Sequence, residues 1–260
     1  MKKYLKLWWI YTLNSFQVQL NIRWAMVLFL AAKIIRFAAF TFFLIILMKS
    51  TKVLAGYNFD QTILFFLSFN FLDVISQLLF REVYRFRWAV VSGNFDFYLV
   101  KPINPLFRSL FTGADLLDFV TLLPLAFALF YFINKLELLY AVNLISYLFM
   151  LLVGFLIIFS FHILVLSLGI LTTEVNNAIL VYRDLAGMGR VPIDIYMEPI
   201  RGFITFIIPV GIMMTFPAKA LMGLLSWQLI LYAFFFSVTF LYFSLRVWRF
   251  ALKNYSSASS

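Results

Sequence analysis

Cysteine is absent from the 260 residues, which excludes structural disulfides and thiolate metal sites. Charged residues make up only 12% of the chain, where a soluble domain carries about 25%. The one histidine cannot build a metal site, which needs several ligands. None of the ten glycines is followed by lysine, so the chain lacks the loop with which ATPases cradle phosphates. We therefore expect this chain to bind no metal or cofactor of its own.

Apolar residues dominate what is present. They account for 64% of the chain, include 34 phenylalanines and give a mean hydropathy of +0.98. One water-facing core cannot bury so much apolar surface, so the sequence predicts an all-α integral membrane protein. The formal charge of +10 does not indicate nucleic acid binding, because the cations lie at the ends of apolar runs. We predict a multi-pass protein of the cell inner (plasma) membrane with both termini in the cytoplasm.

Stretches long enough to cross a bilayer recur along the chain. A crossing helix needs about 20 mostly apolar residues. Before the first stretch, residues 1–22 predict an interfacial amphipathic helix, with Lys2, Lys3 and Lys6 on its polar arc. Pro124 predicts a kink in the third stretch. The predicted crossings are residues 24–48, 60–80, 115–133, 138–171 and 226–248.

The position of a sixth crossing is open. In one arrangement, residues 172–190 cross the membrane and residues 191–225 form an outer re-entrant element. In the other, residues 172–202 are cytoplasmic and residues 203–225 cross. Hydropathy alone favours the second arrangement, because charged side chains interrupt the segment before residue 203. Both arrangements give six crossings and cytoplasmic termini.

The polar interruption at residues 81–114 separates the second and third predicted crossings. Its cations outnumber its carboxylates, which predicts a cytoplasmic loop. Arg85, Arg87 and Trp88 belong to residue types enriched at protein interfaces. The same types also hold loops to anionic lipid head groups. The residues alone therefore leave a partner-binding and a lipid-binding interpretation open.

Three segments match sequence patterns of one protein family. Residues 93–105, GNFDFYLVKPINP, match the pattern G-x-x-D-x-x-L-x-(K/R)-P. Residues 191–196, VPIDIY, followed by Pro209 and Pro217, are similar to Y-P-x-x-I-Y … I-P … P-A. Residues 248–258, WRFALKNYSSA, are similar to W-x-x-G-L-x-x-Y-x-S-A. Taken in this order, the segments resemble the ABC-2 type permease family, the membrane half of ATP-binding cassette exporters.

The resemblance implies a six-helix permease that works as a dimer, of identical or related chains, on ATPase subunits that hold ATP and Mg²⁺. It implies that residues 81–114 form the coupling loop to the ATPase. It also implies an outer re-entrant region at residues 191–225, broken at Pro209 and Pro217, which favours the first arrangement. The implied activity is export of a hydrophobic or amphipathic substrate, as in multidrug efflux. The coupling-loop candidates are Arg85, Arg87, Trp88, Gly93, Asp96, Lys101 and Pro102.

Polar side chains also occur within the predicted crossings. The candidates are Lys33, Arg36, Asn70 and Asp73. Counting depth at about 1.5 Å per residue along an antiparallel hairpin brings Lys33 and Asp73 to one level, which predicts an ion pair. The alternatives are a substrate or gating site, an ion pair that fixes helix register, and a Lys33 side chain that extends to the lipid head groups. Asp115 and Asp118 are predicted to be favourable charges at the N-terminus of the third crossing.

Two other classes of protein compete with a permease. An ion-coupled transporter would carry protons on Asp73 or Glu174, and it predicts transport without ATP. A membrane-embedded lipid enzyme needs a nucleophile and a base, yet the sequence has no G-x-S-x-G elbow and only His162 as a histidine. We therefore expect no catalytic residues in this chain.

Overall fold

The computed structural model describes residues 2–172 and 175–256. The ordered elements of these two ranges are helices, and they contain no β-strand. Glu174 and the end of the tail motif, residues 257 and 258, lie outside the described residues. The α-helices are α1 (Lys2–Asn21), α2 (Arg23–Thr51), α3 (Phe59–Phe80), α4 (Phe86–Val91), α5 (Asp96–Val100), α6 (Pro105–Leu110), α7 (Leu116–Lys135), α8 (Ala141–Thr172), α9 (Val175–Gly187), α10 (Ile200–Gly202), α11 (Phe216–Leu221) and α12 (Trp227–Lys253).

Five helices of the described ranges are long and apolar enough to cross a membrane. They are α2, α7, α8, α12 and one continuous run, Phe59–Val91, in which a 3-10 turn at Arg81–Arg85 joins α3 to α4. This run has 33 residues and is therefore about 50 Å long, against about 30 Å of hydrocarbon. The run is therefore longer than the apolar layer is thick, and it must tilt or extend beyond that layer. The chain is a multi-pass membrane protein.

Helix α8 lies at the centre of the bundle. It packs against α12, α11, α9 and α3, and α3 in turn packs against α7. Gly154 of α8 permits a close approach to the backbone at residues 211–215, because a Cβ there would lie 2.5 Å from the Met213 carbonyl oxygen. Helix α2 is peripheral and buries only Leu44 and Met48. Pro124 lies inside α7, which continues through it.

The segment between α8 and α12 returns along α3. Arg183 of α9 lies beside Tyr84, and Arg190 lies beside Phe69. Farther on, Asp194 accepts a hydrogen bond from Tyr57, which precedes α3. The chain therefore runs from the 3-10 turn of the α3–α4 run back to the beginning of that run. With 13 residues, α9 is too short to cross a bilayer alone.

A bent pair of helices follows this return. Its two halves, Ile200–Ile207 and Gly211–Leu221, contain π-helical turns and meet at 79° around Pro209. Pro217 lies in the first turn of α11. Lys219 lies near the end of the two bent helices and forms an ion pair with Asp194, which lies before their start. Both ends of the pair therefore lie near the start of α3.

Helix α1 is fastened to the residues on either side of α6. Lys3 Nζ donates to the Pro102 carbonyl at 3.1 Å. Gln19 Oε1 accepts from the backbone N–H of Leu116 at 3.0 Å. Gly113, with φ +100°, lets the chain pass α1, because a Cβ there would lie 3.0 Å from Ser15. Helix α1, which leads directly into α2, thus links α2 to the start of α7.

Candidate functional site

A cavity of about 610 Å³ lies between α2, α3, α7 and the region from α9 to Arg190. It contains all four polar candidates that the sequence placed within crossings. It adds charged side chains from two other parts of the chain. The charged residues on its wall are Lys33, Arg36, Asp73, Asp118, Arg183 and Arg190.

One ion pair in the cavity differs from the prediction. Lys33 Nζ donates to Asp118 Oδ1, so the predicted Lys33–Asp73 pair is wrong. The prediction counted depth along the first two crossings only, so it could not show that the first turn of α7 brings a carboxylate to Lys33. Asp73 instead accepts a hydrogen bond from Gln77 Nε2, one turn along its own helix, at 2.7 Å. Asp115 caps α7 by accepting from the Leu117 N–H at 2.8 Å.

Three arginines line the cavity together with Asp73, namely Arg36, Arg183 and Arg190. None of the three forms an ion pair with a carboxylate in the described ranges. Arg190 lies 5.9 Å from the ring of Phe69, an attractive cation–π distance. Sequence reasoning missed Arg183 and Arg190 as site residues, although their charges already marked this segment as unusual for a crossing.

Aromatic rings line another part of the cavity wall. Phe66 of α3 stacks on Phe40 of α2 with 4.7 Å between ring centroids, and it lies 5.0 Å from Phe37. Asn70 also faces the cavity, but its amide donates to the Phe66 carbonyl of its own helix. The wall therefore has a charged part and an aromatic part.

His162 lies apart from this cavity in the interior of α8. Its Nδ1 is 2.8 Å from the Ile158 carbonyl oxygen, and its ring packs against Phe80 and Tyr182. In residues 2–172 and 175–256, no group of three His, Cys, Asp or Glu side chains could hold a metal ion. His162 is thus a packed core residue.

The second candidate site is the run of short helices α4 to α6. Gly93 joins α4 to α5 with φ +73°, a conformation that other L-residues rarely adopt. The turn leaves several side chains exposed, among them Arg85, Arg87, Lys101 and Pro102. Exposed apolar side chains accompany them, among them Trp88 (69%), Phe97 (58%) and Val100 (78%).

The C-terminal tail clamps this turn. Phe95 is fully buried, with its ring 5.2 Å from Phe86, 5.1 Å from Tyr255 and 6.5 Å from Trp248. Tyr255 donates a hydrogen bond to Asp96 Oδ1 at 2.9 Å. The first and third segments that resemble the family, residues 93–105 and the described part of residues 248–258, therefore pack together as one structural unit. We call Phe86, Phe95, Trp248 and Tyr255 the aromatic clamp.

Two phenols beside these segments have shifted acidity. Burial, followed by the negative charge of Glu82, raises the pKa of Tyr98, and the Arg108 guanidinium over its ring opposes the shift. Burial and the Asp194 carboxylate likewise raise the pKa of Tyr57. Both groups are therefore neutral hydrogen-bonding groups at physiological pH.

Comparison with known families identifies the class of protein. Residues 15–259 match the family described as ABC-2 family transporter protein. The chain belongs to this family, as the three sequence segments indicated. The family is a membrane subunit for transport and not a catalytic enzyme by itself. Searches of curated proteins and of solved structures found no match.

Proposed function

We propose that this chain is the permease subunit of an ATP-driven exporter, with ATP and Mg²⁺ bound by a separate ATPase subunit. The observation that carries the proposal is the exposed apolar surface of α4 and α5. Trp88, Phe97 and Val100 lie on a turn that packs through the aromatic clamp. An exposed apolar surface on a well-packed support is suited to a protein partner.

The α3–α4 run supplies a path from that surface to the cavity. Trp88 and Asp73 lie on this one continuous run, separated by the 3-10 turn. A helix transmits displacement along its axis because its backbone hydrogen bonds are internal. Closure of two ATPase subunits would move α4, and α3 would carry that movement to the cavity wall. Access to the cavity would thereby switch between the two sides.

The proposed arrangement places both termini and residues 81–114 in the cytoplasm. The α9 region then provides the fifth crossing, and the bent pair at residues 200–221 is a re-entrant outer element. Both ends of that pair lie near the start of α3, which supports this arrangement over a crossing at residues 203–225. A second permease chain, identical or related, completes the transporter in the inner membrane. The transported compound is hydrophobic or amphipathic.

An ion-coupled transporter remains the second candidate, because Asp73 is a carboxylate on the cavity wall. Under that alternative, transport would need a proton gradient and no ATPase subunit. Replacing Asp73 by asparagine would then abolish transport.

Co-purification from the native membrane tests the main proposal. The tagged chain is extracted in gentle detergent and compared with Val100→Asp, which puts a charge on the exposed surface of α5. The control is Leu139→Asp, at a residue 52% exposed in the turn between α7 and α8. We expect an ATP-binding subunit with the wild type and the control but not with Val100→Asp. Absence of any such subunit from the wild type under several extraction conditions would refute the proposal.

A further inference from the structure

The charges on the cavity wall do not balance. Lys33 and Asp118 neutralise each other as an ion pair. Three arginines then remain with one carboxylate, that of Asp73. An unpaired charge inside a crossing helix, such as that of Arg36 in α2, is costly. The cavity as described therefore has an excess of positive charge that an anion would stabilise.

Guanidinium groups also indicate the chemistry of that anion. Each presents a planar fork of N–H donors that matches a carboxylate, sulfate or phosphate with two hydrogen bonds. Arg36 approaches from α2, whereas Arg183 and Arg190 approach from α9 and the turn after it. Donors on separate elements can surround a head group from different sides. They would repel a cation, although the aromatic rings nearby could otherwise attract one.

The aromatic part of the wall is suited to an apolar tail. Phe37, Phe40 and Phe66 form a cluster that continues the wall from the arginines. A volume of about 610 Å³ is typical of pockets for small organic ligands. We propose that this cavity binds an amphipathic anion, with its head group at the arginines and its tail along the phenylalanines. The inference rests on the proposed function and narrows its substrate class.

Binding of single-chain amphiphiles tests the inference directly. The full chain, with any co-purifying ATPase subunit, is kept in an uncharged maltoside detergent. Dodecyl phosphate and dodecyltrimethylammonium share a tail and differ in the sign of the head group. We expect dodecyl phosphate to bind and to raise the melting temperature, and the trimethylammonium compound to do neither.

Variants locate the binding in the cavity. Arg36→Gln/Arg190→Gln should weaken dodecyl phosphate binding by about tenfold to a hundredfold, since charge-assisted hydrogen bonds are lost. Arg190→Lys keeps the charge without the fork and should fall between wild type and the double variant. The control, Arg246→Gln/Arg249→Gln, removes two charges from α12 outside the cavity and should bind as the wild type does. Equal binding of both amphiphiles by the wild type, or undiminished binding by the first double variant, would overturn the inference.

The anion could be a resident membrane lipid or the transported compound. Mass spectrometry of the wild type that shows phosphatidylglycerol retained, and lost in Arg36→Gln/Arg190→Gln, would identify a resident lipid. ATP-dependent accumulation of dodecyl phosphate in reconstituted vesicles would identify a transported anion. Either result supports the same head-group chemistry. If the wild type binds dodecyl phosphate selectively but no ATPase subunit co-purifies, this inference stands and ATP coupling is refuted. If an ATPase subunit co-purifies but binding does not depend on the charge of the head group, the inference alone is refuted.

Discussion

Phe95 and Phe97 are two residues apart, yet they should respond oppositely to the same change. The Phe95 ring is fully buried in the aromatic clamp, whereas Phe97 is exposed beside it. Truncating a buried phenylalanine to alanine costs about 3–5 kcal/mol, from lost transfer energy and the cavity that remains. Phe95→Ala should therefore open the turn between α4 and α5. Phe97→Ala should leave that turn folded.

Hydrogen exchange at individual backbone amides measures this local opening. A loss of 3–5 kcal/mol corresponds to an increase in exchange rate of about 100-fold to 1,000-fold or more for residues 94–100. The amides of α8 should be less affected, because the aromatic rings nearest Phe95 come from α4, α5, α12 and the residues after α12. Phe97→Ala should leave the exchange rates of residues 94–100 and of α8 unchanged, but it should weaken co-purification of the ATPase subunit.

Two results would refute this reasoning. Unchanged exchange of residues 94–100 in Phe95→Ala would mean that the aromatic clamp does not support the turn. Loss of protection throughout α8 would mean that the clamp is part of the global core, and a separate coupling module would then be wrong.

Three further predictions concern the interior. Lys33→Met should lower stability by about 3–5 kcal/mol in thermal unfolding, because it leaves the buried Asp118 carboxylate unpaired, and adding Asp118→Asn should restore much of the loss. Asp73→Asn should reduce ATP-driven transport only mildly in a vesicle assay, and complete loss would favour the ion-coupled alternative. Gly154→Ala should destabilise the protein by about 1–3 kcal/mol, since its Cβ would meet a backbone carbonyl, while the control Gly187→Ala should not.

Sequence reasoning predicted the long helices well because their signal is local. Runs such as 226–248 need only about 20 apolar residues in succession, and α12 spans that run. Its failures involve contacts between distant parts of the chain. The carboxylate that meets Lys33 is 85 residues away, and the Tyr255–Asp96 hydrogen bond joins residues 159 apart. Composition and periodicity carry no information on such pairs.

The cavity residues likewise divide into those that the sequence alone marked and those that only the fold brings together. The sequence marked Lys33, Arg36, Asn70 and Asp73 because a polar side chain inside an apolar run is conspicuous. Arg183 and Arg190 lie in a segment with many charges, where a further charge is inconspicuous. Only the return of α9 along α3 brings them to the cavity wall.

The 3-10 turn at Arg81–Arg85 gives the α3–α4 run the properties of a screw. A 3-10 helix rises about 2.0 Å and turns about 120° per residue, whereas an α-helix rises about 1.5 Å and turns about 100°. Rewinding these five residues as α-helix would draw α4 toward α3 by about 2.5 Å and rotate it by about 100°. A small axial push of Trp88 toward α3 would thus reorient the exposed face of α4, and the rotation would have to release Phe86 from the aromatic clamp. Movement and reorientation of that face would be parts of a single event.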